Sequence, residues 1–594
     1  MSFKLGRIDG ISFNQLGGIG GGAIGGASNL IFSAPLQSVL NPVWAAGSAV
    51  PTFTRATVAY VADWENLLKP VLSGEARFTG ARRVRNSITG SSEDWSSGTH
   101  PSDVNATTAA TTFTLNSVGA SRTNKSMTTV IVGRASVWRF RVLLSCSVSR
   151  TICIRFNGTG GDAVLNIAVD STPKIISNTV TLTDSTPNLQ FTNVIGEGAT
   201  DTSTAGTFTI GQVLVEEVTG QSNQNPSEYV SVGVLSAPYH GAGVDGVKYF
   251  TTLNGNTVAS NVVTEATGAA INPTNGASSS TTDAGGPFGY FAEGAGTQLV
   301  TPTASIRDMT DGSWTLGATM TRARTSVGLD GVANSATRLT AGAVAATNII
   351  TQTLVAAATS RTYSCYIKRI TGTGPVRLTQ DNFVGGSDIS GSLVAGTWVR
   401  VSFTASILNA VYGIKVDTNL DAIDVDFNQF EAGAFATSPM ASAGAARNAD
   451  VLAYPTAGNV FSATGSVYAE IDPFIANDAV NNQAVLDVSA VQYAIYVSTS
   501  SKAAIFDGAN VTASAGNVSV GTVSKVATNW SGVVAKVSLS GAIATGTFDG
   551  SMNAGANMTV GNKGGAGAAI NGTIRNVRIF STALTDAQLQ AMTS

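Results

Sequence analysis

Charged side chains are scarce in this chain: Lys, Arg, Asp and Glu make up 12% of 594 residues, and the formal net charge is −3. So thin a charge leaves no electrostatic footprint for nucleic acid, and the densest basic run, Arg82-Arg83-Val84-Arg85, is too short to track a duplex. Histidine is scarcer still. Only His100 and His240 occur, both in Pro/Gly-rich loops with no nucleophile context, and no Gly-x-Ser-x-Gly stands between a strand and a helix. The three cysteines, Cys146, Cys153 and Cys365, lie in apolar strand-like runs without metal spacing, which reads as buried thiols; Cys146 and Cys153 are the one pair a hairpin could bring together. No run of about twenty apolar residues occurs, and MSFKLGRIDG has no secretory apolar stretch. The expectation is a non-enzymatic protein made in a cytoplasm, not exported by the usual route and not inserted in a membrane.

What the chain does have is glycine, 65 residues of it, with many small, hydroxylated and β-branched side chains. That texture suits sheets and tight turns and disfavours long helices. Residues 423–439 (IDVDFNQFEAGAFATSP) open with strict alternation, Ile423, Val425 and Phe427 on one face against Asp424, Asp426 and Asn428 on the other, the pattern of a half-buried strand. A glycine and a Thr-Ser-Pro corner end it. Residues 210–229 (IGQVLVEEVTGQSNQNPSEY) repeat the strand and corner about two hundred residues earlier. The fold class is therefore all-β: tandem antiparallel β-sandwiches of jelly-roll type, with a Gly-rich N-terminal arm.

The expected division is as follows. Residues 1–40 are an attachment arm built on GGIGGGAIGG, which lacks the strand and helix of a nucleotide site, and 41–85 are a β-rich connector. Residues 86–232 are a first jelly roll, in which Trp138 and Phe140 share a core face. Residues 233–297 are a spacer whose segment 247–259 reads as a hairpin turning at Asn254-Gly255. Residues 298–447 are a second jelly roll, with Trp398 and Arg400 on one strand face and Val399 and Val401 on the other. Residues 448–594 form a last sandwich ending in a helix with Thr585 as its N-cap. The phrase Gly289-Tyr290-Phe291-Ala292-Glu293-Gly294-Ala295 announces the second jelly roll as Arg77-Phe78-Thr79-Gly80-Ala81 announces the first.

The run Pro51-Thr52-Phe53-Thr54-Arg55-Ala56-Thr57, then Gly74-Glu75-Ala76-Arg77-Phe78 and Gly80-Ala81-Arg82-Arg83, resembles the opening of many tailed-bacteriophage fibre and virion-appendage proteins. The phrase that follows in that family has its counterpart in Ser92-Glu93-Asp94-Trp95, with the Trp arriving early. The order of Trp314, the strand at 396–403 and the Gln-Phe-Glu closing strand resembles the carbohydrate-binding-module-like jelly rolls of such fibres. The close Gly572-Thr573-Ile574-Arg575-Asn576-Val577-Arg578-Ile579-Phe580, then Leu584 to Leu589, resembles laminin-G or concanavalin-like lectin sandwiches. The resemblance implies a virion location, docking on other virion proteins through the N-terminal arm, a homotrimer, and bacterial surface polysaccharide as the ligand of a tail or head fibre. Two other readings stay open: a purely structural capsid decoration without a ligand, and a polysaccharide depolymerase.

Two sets of residues are candidates for chemistry. Asp424, Asp426 and Asn428 share a strand face with the carboxylates about 7 Å apart, which admits a calcium ion (the one cofactor the pattern allows), a catalytic acid pair or simply a solvated face. Trp95, Tyr239, Trp314 and Trp530 are the aromatic residues outside obvious core phrases and the candidates for stacking on sugar rings.

Overall fold

The computed structural model describes residues 29–594 apart from 101–102, 117–119, 128–134, 184–186, 196–198, 201–205, 235–239, 256, 260–261, 265–283, 285, 287, 302–305, 441–445, 476–481, 490–491 and 565–567. The glycine run at 17–26 and Tyr239 lie outside the described residues. Three antiparallel β-sandwiches dominate. In the first, a four-stranded sheet faces a seven-stranded one whose central strands are Ser136–Cys146 and Gly206–Glu217, around a core holding Trp95, Phe113, Trp138, Phe140, Phe191 and Phe208. In the second, two five-stranded sheets enclose Trp314, Ile367, Tyr412, Ile423 and Phe430. In the third, a nine-stranded and a seven-stranded sheet share one large core. All three cysteines are buried free thiols, and the closing helix, Asp586–Thr593, starts at a capping box between Thr585 and Gln588.

The third sandwich is not confined to the end of the chain. Leu30–Ala34 pairs with Gly572–Phe580, Trp44–Ala45 extends that sheet, and Thr52–Thr54 pairs with Val451–Pro455 in the opposite sheet. Phe32, Ala34, Leu36 and Leu40 are consequently buried in the third core. An apolar strand such as LIFSA, whose one partner near it in sequence is the two-residue strand Trp44–Ala45, needs a longer strand on its other edge, which Gly572–Phe580 supplies. Residues 29–54, read from sequence as the end of an arm and a connector, are thus parts of the C-terminal sandwich.

The two announcing phrases meet. Arg77–Thr79 pairs antiparallel with Gly289–Ala292, which pairs in turn with Gly572–Phe580. The hairpin expected at 247–259 does not form: Val247–Phe250 pairs with Arg82–Arg85, and Thr257–Ala259 with Val262–Thr264. Asn254, expected in the turn, donates to the carbonyls of Asn225 and Pro226 instead. Where the first two sandwiches touch, Gly220 and Gly331 (φ 74° and 78°) meet backbone to backbone, and a Cβ on Gly331 would lie 2.4 Å from the Gly220 Cα. Only glycine fits either position.

The two jelly rolls repeat each other down to individual hydrogen bonds. Each closing strand carries a bulge at a residue with φ 48°, Gln212 in the first and Phe427 in the second. In each, an amide from the module's opening residues latches the strand. The Asn86 Oδ1 accepts from the N–H of Ile88 and Val215, and the Gln298 Oε1 accepts from the N–H of Val300 and Phe430. In each, a glutamate then holds the corner: the Glu216 Oε1 accepts from Ser227 N at 2.6 Å, the Glu431 Oε1 from Thr437 N at 2.7 Å.

Candidate functional site

The acidic face of the Ala422–Ala432 strand is not solvated; the strand is buried on both faces as far as Glu431. Asp424 is paired with Arg338 and with Lys368 at 3.4 Å, and accepts from the Ser326 hydroxyl. Asp426 takes two bonds from Arg307, each of 2.8 Å, and also accepts from the backbone N–H groups of Leu329 and Phe427. Asn428 accepts from the Tyr363 hydroxyl at 2.8 Å. Cations from the packed segment 307–338 thus occupy the oxygens that a calcium ion or a catalytic pair would use. Among the described residues, no group of three or more His, Cys, Asp or Glu side chains is placed to hold a metal.

Trp95, Trp314 and Trp530, named for sugar stacking, are each no more than 2% exposed. The Trp95 indole N–H donates to Thr123 and that of Trp530 to the Phe461 carbonyl, while Trp314 lies edge-on to Tyr412. They are core residues. Trp398 is partly buried, packed with Tyr366 against Tyr60, Leu68, Leu329 and Phe427 where the Ala59–Ala62/Leu68–Val71 hairpin lies on the second jelly roll. His240 shares a hydrogen bond with Ser231, and both are buried.

A buried ion network joins the connector, the second jelly roll and the third sandwich. Asp450 is gripped by Arg55 at 2.7 Å and by Arg77, and Glu293 by Arg77 at 3.1 Å and Arg447 at 3.3 Å. Burial pushes Asp450 and Glu293 towards protonation, but the arginines overcome it and hold both below the usual carboxylate range. Ser438, in the corner of the second jelly roll, donates to Glu293 and accepts from Arg77. Removing one member of such a network costs about 3–5 kcal/mol, because a charge is left buried without its partner.

Of the seven tryptophans, one is exposed: Trp44, at 54%. It sits on the two-residue edge strand Trp44–Ala45, directly opposite Ser33. Its indole N–H donates to the Leu30 carbonyl at 3.0 Å, and Asn459 clamps the following turn through Gly47 N and the Ser48 carbonyl. The ring is therefore fixed while much of it meets solvent. Cross-strand partners share a face, so the pairs Trp44–Ser33, Ser33–Arg578 and Arg578–Tyr468 form one row on the outer face of the sheet, opposite the core residues Phe32, Ile579 and Val467. The Arg578 guanidinium lies 5.7 Å from the Tyr468 ring centroid. Next to it, Glu470 is taken up by Arg575 at 2.6 Å, Asn576 at 2.9 Å and the Tyr468 hydroxyl at 3.0 Å. This row sets a fixed, exposed aromatic ring near a half-buried arginine, while Ser33 and Tyr468 are themselves buried, Tyr468 among Leu584, Leu589 and Met592 at the closing helix. Sequence reasoning missed it because Trp44 stands in PVWAAG, with no alternating pattern around it to assign a face.

No family model and no curated protein matches the chain. Among solved structures, a Trypanosoma rangeli sialidase in complex with the inhibitor DANA overlaps at 10% identity and TM-score 0.20, over 24% of this chain and 25% of that one. The chain thus spans about a quarter of that enzyme's length. The tandem CBM22 domains of Paenibacillus barcinonensis Xyn10C overlap at 9% identity and TM-score 0.18, over 65% of this chain and 100% of theirs. Domains LG4-5 of mouse laminin α1 overlap at 9% identity and TM-score 0.17, over 49% of this chain and 90% of theirs. Overlaps this slight assign no function to the chain.

Proposed function

We propose that the chain is a non-enzymatic bacteriophage virion fibre, of tail or head, that docks on the particle through its N-terminal residues and binds a bacterial surface glycan during host adsorption. The observation that carries the glycan contact is Trp44, the single exposed tryptophan, with its indole N–H tied to Leu30 and about half of its surface open to solvent. The phage assignment rests on the resemblance of residues 51–83. A homotrimer and partners within the virion belong to the same reading, and weak single contacts multiplied by copy number would supply the avidity. The buried network around Asp450 suits a rigid appendage. Trp44 lies on the same sheet as Leu30–Ala34, the first strand among the described residues.

The test is saturable binding of the full chain to host cells and to their extracted polysaccharide, with an assay for released reducing ends. Binding lost on stripping the polysaccharide, without sugar release, is the expected result; sugar release overturns the non-enzymatic reading. Absence of binding favours the decoration reading, for which the burial of Trp95, Trp314 and Trp530 speaks.

A further inference from the structure

We infer that the row Trp44–Ser33–Arg578 is a subsite for an anionic glycan, one bearing carboxylate or phosphate groups, with Trp44 stacking on a sugar ring and Arg578 holding the oxyanion. The inference rests on the glycan-binding reading above and narrows it to a chemical class. Its starting point is the charge of Arg578. Among the described residues this guanidinium makes no ion pair and no hydrogen bond, and it lies over the face of Tyr468. The neighbouring arginine, Arg575, is neutralised by Glu470. The row therefore carries one uncompensated positive charge, in a chain whose net charge is −3. The positive spot is a local feature rather than part of a general field.

Geometry supports the same ligand. Trp44 and Arg578 lie on strands either side of Leu30–Ala34, so their Cα atoms are about 10 Å apart from the strand spacing. That is the span of a disaccharide laid across the sheet, with one ring on the indole and the acidic group of the next on the guanidinium. Ser33, the residue between them, is small and buried, so the contacts to the ligand fall to Trp44 and Arg578 on either side of it. Arginine is the suitable cation here: its planar fork meets a carboxylate or phosphate with two parallel hydrogen bonds, and the Tyr468 ring beneath it favours a positive charge at this spot. A lone arginine does not make a lipid-headgroup surface, which takes a cluster of basic residues.

The experiment prints neutral, uronic-acid-bearing and phosphodiester-bearing bacterial polysaccharides on one array, each uronic acid polymer also in carboxyl-reduced form. Full-length wild type, Trp44→Ala, Arg578→Gln and Arg578→Lys are compared, with equal thermal midpoints as the folding control. Wild type is expected to prefer acidic polymers, and carboxyl reduction or Arg578→Gln to weaken binding about ten-fold. Arg578→Lys should keep part of the affinity but lose more of it in salt, and Trp44→Ala should abolish binding to every polymer. The preferred class of polymer tells carboxylate from phosphate. Equal binding of neutral and acidic polymers, sensitive to Trp44→Ala, overturns the anionic subsite and leaves the glycan reading standing. Binding indifferent to both substitutions overturns this site, and no binding by wild type overturns both readings.

Discussion

The two jelly rolls solve one backbone problem with acids from different places. Each closing strand has a bulge whose residue sits at φ 48° and whose N–H needs an acceptor. In the second jelly roll, Asp426 of the strand itself accepts from the Phe427 N–H at 2.9 Å. In the first, the corresponding position is Gly211, and Glu93 reaches in from the opening segment to accept from the Gln212 N–H at 3.1 Å. A Cβ on Gly211 would lie 3.0 Å from that Glu93 oxygen, so the glycine leaves room for the incoming carboxylate. The backbone demand is shared by both modules, whereas the side chain that meets it is not. Moving the acid into the strand also let it recruit Arg307, which binds Asp426 and Asp330 together, whereas among the described residues Glu93 makes no ion pair.

The largest break in the comparison should come from removing the two acids. Asp426→Ala leaves Arg307 partly unmatched and two buried N–H groups unsatisfied, and should cost about 3–5 kcal/mol. Glu93→Ala should cost only about 1–2 kcal/mol; urea unfolding of both variants measures the gap, and equal losses would contradict the account. Next come the latches. Asn86→Ala and Gln298→Ala each strand two backbone N–H groups and should each cost about 2 kcal/mol, equal within error if the modules are true repeats.

A pH series separates the modules in another way. The hairpin that packs on the second jelly roll is turned by Asp63, which burial pushes up to about 6 against Lys69 and the N–H groups of Leu67 and Glu65. Between about pH 4 and 6 the folded protein keeps a proton that the unfolded chain releases, so this group's contribution is fully favourable below that window. It is lost as pH rises to 6 and is flat above. Thermal midpoints should therefore rise from pH 7 to pH 5, by an amount that Asp63→Asn removes. The smallest effect is at the bulge: Gln212→Gly relieves a left-handed conformation and should stabilise by about 0.5–1 kcal/mol, read from the same urea curves.

Local order was legible in the sequence because it is written locally. The strand-and-corner repeat, the core positions of Trp138 and Phe140, and the cap at Thr585 all follow from patterns within a dozen residues. The face of Asp424 and Asp426 was misjudged for a definite reason. Alternation reports that a strand has two unlike faces, but not that Arg307 and Arg338 from elsewhere cover the polar one. Leu30–Ala34 was read as part of an arm because its partner strand is separated from it by almost the whole chain. Trp44 was passed over for the same cause, since its significance lies in its neighbours Ser33 and Arg578 across the sheet.

That pairing also sets a schedule for biosynthesis. Asn29 and Thr582, hydrogen-bonded in the finished third sandwich, are 553 residues apart. At ribosomal speeds of about 5–20 residues per second, the first strands wait roughly half a minute to two minutes for their partners. During that time LIFSA is an unmatched apolar segment, while both jelly rolls complete themselves behind it. The sandwich to which Leu30–Ala34 belongs is the last to close, and a nascent chain cut off before Gly572–Phe580 should release two folded modules joined to a sticky, strand-seeking N-terminal segment.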